Sequence, residues 1–332
     1  MKTLNSFKKK FDKKLYLYLD LKEQEMNKLD LKGGEMIKSI KSFLQYGGKR
    51  FRPALFYFAY EDFAKKKEID GLRFSFIFEL FHTFALIHDD IIDHAHVRRG
   101  NPTIHTKYGL PMGILSGDFA LTLVDELYLQ FVSQSHLTQT QIQKINTLFN
   151  TYKQELLVGQ YLDCIHSEDR EKIMKLKTAD YSFVKPVLLA LTLTGQTDIS
   201  IKKWGIFFAQ LGIVFQLKDD YLGIFADEQA TGKSSLSDTQ EGKNTQAVEL
   251  FRKRAGREEI IHFNSFFGKS TFSTSELDWY KNVLEKKNIK QDIIREIQTI
   301  CSDLHNELKI MKGKNTQFHT LITEIITHIN TF

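Results

Sequence analysis

Proline and cysteine are scarce in this chain of 332 residues, and long hydrophobic runs are missing. The four prolines lie at positions 53, 102, 111 and 186, so long stretches contain no helix-breaking residue. The two cysteines, Cys164 and Cys301, do not have metal-site spacing and indicate reduced thiols. No apolar run is long enough to cross a bilayer, and the charged N-terminus is not typical of a signal peptide. We therefore predict a cytoplasmic protein without a transmembrane segment.

The charges are nearly balanced, with 46 Lys and Arg against 41 Asp and Glu, and the net charge is +5. The basic residues are scattered along the chain, which argues against nucleic acid as a partner. No alternation of apolar and polar residues persists as in a strand, and no repeat of 20–50 residues is evident. Apolar residues recur instead at helical spacing. We predict one all-α domain over residues 1–332, with two domains split near residue 230 as the alternative.

An acidic turn interrupts an apolar helical pattern at residues 89–93. Asp89 and Asp93 are four positions apart and so point to the same face of a helix, with Asp90 about 100° away. Like charges at this spacing repel unless a cation lies between them. Mg²⁺ takes one or two carboxylates and leaves its other positions to water and phosphate oxygens. Arg98 and Arg99 follow and offer planar guanidinium groups to phosphate, so the segment predicts a metal and diphosphate site.

A second acidic turn lies 130 positions later, where Phe-Gln-Leu-Lys-Asp-Asp occupies residues 215–220. Two such turns on separate helices can face each other across a bundle. A second anion site is predicted at Gly-Gly-Lys-Arg-Phe-Arg-Pro, residues 47–53, because a glycine pair lets the backbone approach a ligand closely. The bland alternatives are solvated acidic turns and a basic connecting turn between helices.

Residues 226–246 contain almost no apolar side chains and predict a long loop, of the kind that is usually functional or disordered. Lys233 and Lys243 punctuate it. We predict a mobile lid that brings two ammonium groups onto a phosphate, against the alternative of a surface excursion.

Phenylalanines are concentrated on the helix that carries the first acidic turn, at positions 74, 76, 78, 81 and 84. They predict a dry, apolar pocket beneath a charged rim. A substrate with a diphosphate head and a hydrocarbon tail fits both parts of such a site.

The motifs at 47–53, 89–93 with Arg98-Arg99-Gly100, Lys177-Thr178 and 215–220 together resemble the trans-polyprenyl diphosphate synthase family, of the short-chain type that makes geranylgeranyl or farnesyl diphosphate. They occur in the family's order and cover roughly residues 40–250. The resemblance implies a helical bundle around a central cavity, the isoprenoid synthase fold, usually as a homodimer. It also implies Mg²⁺-dependent condensation of an allylic diphosphate with isopentenyl diphosphate.

The resemblance further assigns a role to each matching residue. Three Mg²⁺ ions are expected on Asp89, Asp93 and Asp219. The allylic diphosphate is expected on Arg98, Lys177, Thr178, Gln216, Lys233 and Lys243, of which Lys177 and Lys233 join the three metal ligands as catalytic residues. Isopentenyl diphosphate is expected on Lys49, Arg52, His82 and Arg99. The orienting carboxylates are expected to be Asp90, Asp220 and Asp238.

The length of the product is expected to depend on bulk upstream of the first aspartates. Phe84 lies five residues before Asp89, which is about 7.5 Å along a helix. With the small Ala85 beside it and Phe81 further down, this pattern favours geranylgeranyl diphosphate, with farnesyl diphosphate next; the alternative is that Phe84 is only core. One departure is Gly223, where the family commonly has aspartate, and it removes a third carboxylate from the second turn.

Two other functions compete with this interpretation. A class I terpene cyclase also uses an aspartate-rich turn, but it needs no isopentenyl site, and its usual second metal motif is not found beside Asp219. A non-catalytic partner subunit should have lost an acidic turn or the basic motifs, and this chain retains them.

Overall fold

The computed structural model describes residues 1–65, 69–225, 237–240, 242–269, 273–311 and 316–332, with the backbone alone at 237 and 238. It is all-α, as predicted, with 81% of residues helical. The helices of the first part are α1 (Lys2–Asn27), α2 (Glu35–Gln45), α3 (Phe51–Phe63), α4 (Gly71–Phe74), α5 (Phe76–Ile92), α6 (Ile104–Tyr108) and α7 (Leu110–Gln134). Between α5 and α6, strands β1 (Val97–Arg98) and β2 (Asn101–Pro102) pair antiparallel.

The second part continues with long helices around one irregular segment. The elements are α8 (Gln139–Cys164), α9 (Arg170–Ile173), a π-helix (Met174–Val184), α10 (Lys185–Leu193), α11 (Asp198–Phe225), α12 (Ser237–Gln240), α13 (Gln246–Arg254), α14 (Arg257–Phe266), α15 (Thr274–Lys286), α16 (Ile289–Ile310) and α17 (Gln317–Ile329). Pro186 lies in the first turn of α10, where its missing N–H costs little. The predicted lid at 226–246 falls largely outside the described residues.

The chain divides into two compact units. Unit 1 comprises Met1–Thr151, Ser182–Gly205 and Gly313–Glu324, and unit 2 comprises Tyr152–Tyr181, Ile206–Lys312 and Ile325–Phe332. Each unit draws on separate stretches of the chain, so no single cut in the sequence, at residue 230 or elsewhere, would separate them. The single domain over 1–332 stays a prediction.

The core of unit 1 is built around α5, whose residues Ile77, Phe78 and Phe81 are fully buried. Two glycines of α7 allow the end of α5 to pack closely. A Cβ on Gly113 would lie 2.9 Å from Ile91 Cδ1, and one on Gly117 would lie 2.3 Å from His88 Nε2. Both contacts are too short for a side chain, so glycine sets the depth at which the first acidic turn lies against α7.

The core of unit 2 contains a cluster of aromatic rings contributed by three helices. Phe251 of α13, Phe263 of α14 and Tyr280 of α15 are fully buried. The Phe263 ring centroid lies 4.7 Å from that of Phe251 and 4.9 Å from that of Tyr280. Such contacts stabilise a core beyond the area that they bury. None of the helices within the described ranges combines the length and apolar character that a membrane span requires.

Candidate active site

The first acidic turn forms the C-terminal end of α5. Asp93 caps the helix, and its backbone N–H donates to the Asp89 carbonyl at 2.8 Å. Asp89 and Asp93 are half-buried, whereas Asp90 is only 1% exposed. The C-terminal end of a helix carries partial negative charge, so three carboxylates there are unfavourable without compensating cations.

Arg98 supplies part of that compensation from strand β1. Its Nε donates to Asp90 Oδ1 at 2.6 Å, and its Nη2 lies 3.7 Å from Asp89 Oδ2. The other oxygen, Asp90 Oδ2, is buried and accepts no hydrogen bond from any described residue. Burial raises the pKa of Asp90 to about 6, against the opposing charge of Arg98. Asp90 therefore keeps one buried carboxylate oxygen that no described residue satisfies.

Among the described residues, no three His, Cys, Asp or Glu side chains lie close enough together to hold a metal ion by themselves. Any cation at this turn would therefore need further ligands. Phosphate oxygens of a substrate are ligands of the kind that Mg²⁺ accepts beside one or two carboxylates.

The basic loop, residues 46–50, connects α2 to α3 and has an unusual backbone. Gly47 and Gly48 have φ values of 105° and 135°, a region open to glycine. The loop is fastened to the hairpin, because Arg99 Nη1 donates to the Gly47 carbonyl. Lys49 of the loop is exposed, and Arg52, in the first turn of α3, donates from Nε to Ser182 Oγ at 3.1 Å.

His82 lies on α5, seven residues before Asp89, within the field of these cations. Burial lowers its pKa well below the ordinary value, and the charges of Arg52, Arg99 and Arg98 lower it further. The side chain is therefore neutral near pH 7. Unit 1 thus brings Arg52, His82, Arg98 and Arg99 into one electrostatic neighbourhood.

The predicted pocket floor lies on the same helix. Phe84 is 5% exposed, and its ring centroid is 5.6 Å from that of Phe81, which is fully buried. The imidazole of His88 also contacts Phe84, edge to face, with ring centroids 4.9 Å apart. Ala85 is half-buried. The sequence did not mark His88 as important, because it packs against Gly117 of α7, which is 29 positions away along the chain.

In unit 2, Lys177 and Thr178 lie on the π-helix, an element found often at functional sites. Lys177 Nζ pairs with Asp163 Oδ2 at 2.5 Å. A Cβ on Gly159 would lie 2.8 Å from the Lys177 backbone nitrogen, so glycine allows α8 to approach this segment. Asp163 had no assigned role in the sequence.

The second acidic turn lies inside α11 and has a hydrogen-bond network of its own. Thr178 Oγ1 donates to Gln216 Oε1, and Gln216 Nε2 donates to Asp220 Oδ1, both at 2.7 Å. Arg170 Nη2 donates to Asp220 Oδ2 at 3.4 Å. Asp220 is buried, whereas its neighbour Asp219 is exposed. Arg170 had no motif to mark it in the sequence.

The remaining predicted residues belong to the lid segment. Lys243 is half-buried and precedes α13. Lys233 and the side chain of Asp238 lie outside the described residues, and their roles stay predictions.

Comparison with known proteins gives the chain a family. Residues 35–284 match the Polyprenyl synthetase family. A geranylgeranyl diphosphate synthase of Sulfolobus acidocaldarius is 32% identical over 253 residues, which are 73% of this chain and 74% of that protein. A farnesyl diphosphate synthase of Bacillus subtilis is 32% identical over 235 residues, which are 68% of this chain and 78% of that protein.

A solved structure shows the same fold. The geranylgeranyl pyrophosphate synthase of Corynebacterium glutamicum, complexed with isoprenyl diphosphate and magnesium, superposes with a TM-score of 0.85 at 23% identity. The superposition covers 98% of this chain and 99% of that one. The all-α fold and the predicted family are therefore confirmed, and the chain belongs to the polyprenyl synthetase family of trans-prenyltransferases.

Proposed function

We propose that the protein condenses an allylic diphosphate with isopentenyl diphosphate to give a short-chain all-trans product, with geranylgeranyl diphosphate favoured and farnesyl diphosphate next. One observation carries the proposal. In unit 1, the aspartates at the C-terminal end of α5 lie close to several arginines. The same helix carries buried aromatic rings in its preceding turns. That arrangement suits a substrate with a charged head and an apolar tail.

Three Mg²⁺ ions are proposed on Asp89, Asp93 and Asp219. The donor set fits, because hard cations prefer carboxylate oxygens and Asp90 Oδ2 at the first turn is a buried oxygen without a partner in the described chain. When bound, these ions stabilise negative charge on the departing diphosphate. Asp90 orients Arg98 through its 2.6 Å ion pair, and Asp220 and Asp238 are proposed to orient their own turn in the same way.

The two diphosphates are proposed to bind separate groups of residues. The allylic diphosphate is held by Arg98, Lys177, Thr178, Gln216, Lys233 and Lys243, and isopentenyl diphosphate is held by Lys49, Arg52, His82 and Arg99. Neutral His82 donates a hydrogen bond without adding charge, which suits a pocket that already contains arginines. Lys177 and Lys233 stabilise the charge that develops as the allylic C–O bond breaks.

The apolar floor protects the reaction from water. A carbocation survives only where water is excluded, and the buried rings of Phe81 and Phe84 provide such surroundings. Attack by the isopentenyl double bond and loss of a proton complete the condensation. The released diphosphate can take that proton, so the proposal requires no protein side chain as the base.

Phe84 is proposed to limit the length of the product. Replacing Phe84 with alanine removes the ring between Phe81 and His88 and should lengthen the product by at least one five-carbon unit. Product analysis by chain length tests this prediction. Phe78→Leu, a change at a buried ring nearly two turns further from the acidic residues than Phe84, provides the control and should keep the wild-type length. An unchanged length in the Phe84 variant would remove Phe84 as the floor.

A homodimer is proposed through the outer face of α7. Leu115 and Leu129 lie two heptads apart on this helix and are 53% and 65% exposed. Leu110 and Ile114 add to the exposed apolar surface of the same helix. Several large apolar side chains exposed on one helix favour an interface over contact with solvent.

Incubation of the purified protein with Mg²⁺, farnesyl diphosphate and isopentenyl diphosphate tests the proposed function. Elongated diphosphate supports it, and geranylgeranyl diphosphate as the main product supports the favoured length. A cyclic hydrocarbon would indicate a terpene cyclase. No turnover would indicate a non-catalytic partner subunit.

A further inference from the structure

Arg50 follows the glycine pair of the basic loop, but its side chain is directed into the protein and is only 1% exposed. It occupies the N-cap of α3 with φ at 58°, a left-handed conformation that is uncommon outside glycine. A buried guanidinium is tolerated only when its donors are paired. The partners of Arg50 therefore explain why the chain adopts this conformation.

The Arg50 guanidinium reaches three helices. Its Nε donates to Asp12 Oδ1 of α1 at 2.8 Å, and its Nη1 donates to Glu79 Oε1 of α5 at 2.6 Å. Its Nη2 donates to the Leu44 carbonyl, in the last turn of α2, at 2.9 Å. A carbonyl in the last turn of a helix lacks an intrahelical partner, so this bond also caps α2.

A fourth bond joins Arg50 to the substrate side of the loop. Its Nη1 donates to the Gly47 carbonyl at 3.3 Å, and the same carbonyl accepts from Arg99 Nη1. Gly48 lies between the two guanidinium groups. A Cβ there would be 2.7 Å from Arg50 Nη1 and 3.3 Å from Arg99 Nη1, so a side chain would displace a guanidinium group, and the φ of 135° itself favours glycine.

Two guanidinium groups on one dipeptide repel each other, and Glu79 offsets that repulsion. Its buried carboxylate pairs with Arg50. Burial lowers the pKa of Arg99, and the charge of Glu79 opposes that lowering. The carboxylates paired with Arg50 therefore offset its charge next to Arg99.

We infer that Arg50 is a positioning residue for the isopentenyl diphosphate site, which it shapes by fixing the Gly47 carbonyl and, through it, the guanidinium of Arg99. The inference rests on the proposed function. Arg50 does not touch substrate, because its side chain is buried and its donors are committed to protein acceptors. Its loss should therefore weaken binding of isopentenyl diphosphate and leave the allylic diphosphate unaffected.

Arg50→Lys tests the inference, because lysine keeps the charge but cannot reach all four acceptors with one ammonium group. The KM for isopentenyl diphosphate should rise about tenfold, which corresponds to about 1.4 kcal/mol. The KM for the allylic diphosphate and kcat should stay within about twofold of wild type. Equal changes in both KM values, or no change in a folded variant, would overturn the inference.

Lys22→Met is the matched control. Lys22 is a partly buried cation of unit 1 that pairs with Glu126 of α7 at 2.5 Å, away from the basic loop. Its loss should lower the unfolding midpoint without separating the two KM values. A general loss of packing would affect both variants alike, whereas the proposed role affects only Arg50→Lys.

Asp12→Asn decides the matter if Arg50→Lys does not fold cooperatively. The amide keeps an acceptor for Arg50 Nε at a site that is partly exposed, and the KM for isopentenyl diphosphate should rise two- to threefold. An unchanged KM would overturn the inference. Calorimetric titration with isopentenyl diphosphate distinguishes failure of the proposed function from failure of the positioning role. Wild-type protein that binds isopentenyl diphosphate without turnover contradicts the proposed function. The dissociation constant of Arg50→Lys for the same ligand then tests the positioning role.

Discussion

The two acidic turns share a pair of adjacent aspartates but are supported in different ways. The first lies at the C-terminal end of α5. There the last backbone carbonyl groups have no N–H partner within the helix, and the helix end carries partial negative charge. The second lies within α11, which continues to Phe225. The same pair of letters in the sequence therefore corresponds to two local environments.

Their buried aspartates show the difference most clearly. Asp90 has Arg98 on one oxygen and no partner among the described residues on the other. Asp220 has Gln216 on one oxygen and Arg170 on the other. A fully paired carboxylate holds its position without help, whereas a partly paired one gains most from an added cation. The first turn should therefore depend on metal more strongly than the second.

Asp89→Asn should give the largest effect. Loss of the charge removes a proposed metal ligand, and kcat should fall about 10³-fold, the scale of about 4 kcal/mol of electrostatic stabilisation. The Mg²⁺ concentration for half-maximal rate should rise in the same variant. Steady-state kinetics over a Mg²⁺ series provides the measurement, and Asp198→Asn, at an exposed ion pair with Lys144, provides a control with wild-type rates.

The first turn does not depend more strongly on metal than the second if Asp219→Asn lowers kcat and raises the Mg²⁺ requirement more than Asp89→Asn does. That result would make the hydrogen-bonded second turn the principal metal site. A loss of less than tenfold in both variants would remove the carboxylates from the proposed chemistry altogether.

Arg170→Met should have the next largest effect, this time on stability. The change leaves Asp220 Oδ2 and Gln246 Oε1, which accepts from Arg170 Nη1 at 2.6 Å, without that donor. Loss of a charged donor to a buried carboxylate oxygen costs about 2 kcal/mol, so the free energy of unfolding should fall by about that amount. Denaturant unfolding measures it.

Arg295→Met is the matched control, because Arg295 is 69% exposed and pairs with Asp292 at the surface of unit 2. Its effect should stay within about 0.5 kcal/mol. Equal losses in the two variants would mean that the network at the second turn contributes no more than a surface ion pair.

The sequence predicted the elements that follow from local pattern. Phe7, Phe11 and Leu15 recur at helical spacing, and all three are buried on one face of α1. The first acidic motif likewise lies where α5 ends, and the basic motif lies where the chain turns from α2 to α3. Such features depend on residues close in sequence, so periodicity and turn chemistry were sufficient to find them.

The supporting residues could not be predicted, because their partners are distant in sequence. Arg50 pairs with Asp12 and Glu79, which are 38 and 29 positions away, and Arg170 pairs with Asp220 at 50 positions. The π-helix at Met174–Val184 depends on packing too, since Gly159 and Gly212 admit its backbone. No local pattern carries such information.

The smallest effect is expected for substitution of His82, whose pKa reports the positive charge near the first turn. Its pKa in the folded protein lies below the ordinary value, through burial and the arginine charges. Above about pH 6.5 both folded and unfolded chains leave it neutral, and it does not affect stability. Below that pH only the unfolded chain binds the proton, so stability falls as the pH falls.

His82→Gln should remove this loss. Between pH 7.5 and 5.5, the free energy of unfolding should decrease by about 1.4 kcal/mol less in the variant than in wild type. Denaturant unfolding at the two pH values measures the difference, and His136→Gln, at an exposed site, should retain the wild-type decrease. Equal decreases in wild type and His82→Gln would mean that His82 gains its proton in the folded protein as well. The arginines would then not dominate the field beside the first turn, and the contrast with the second turn would rest on hydrogen bonding alone.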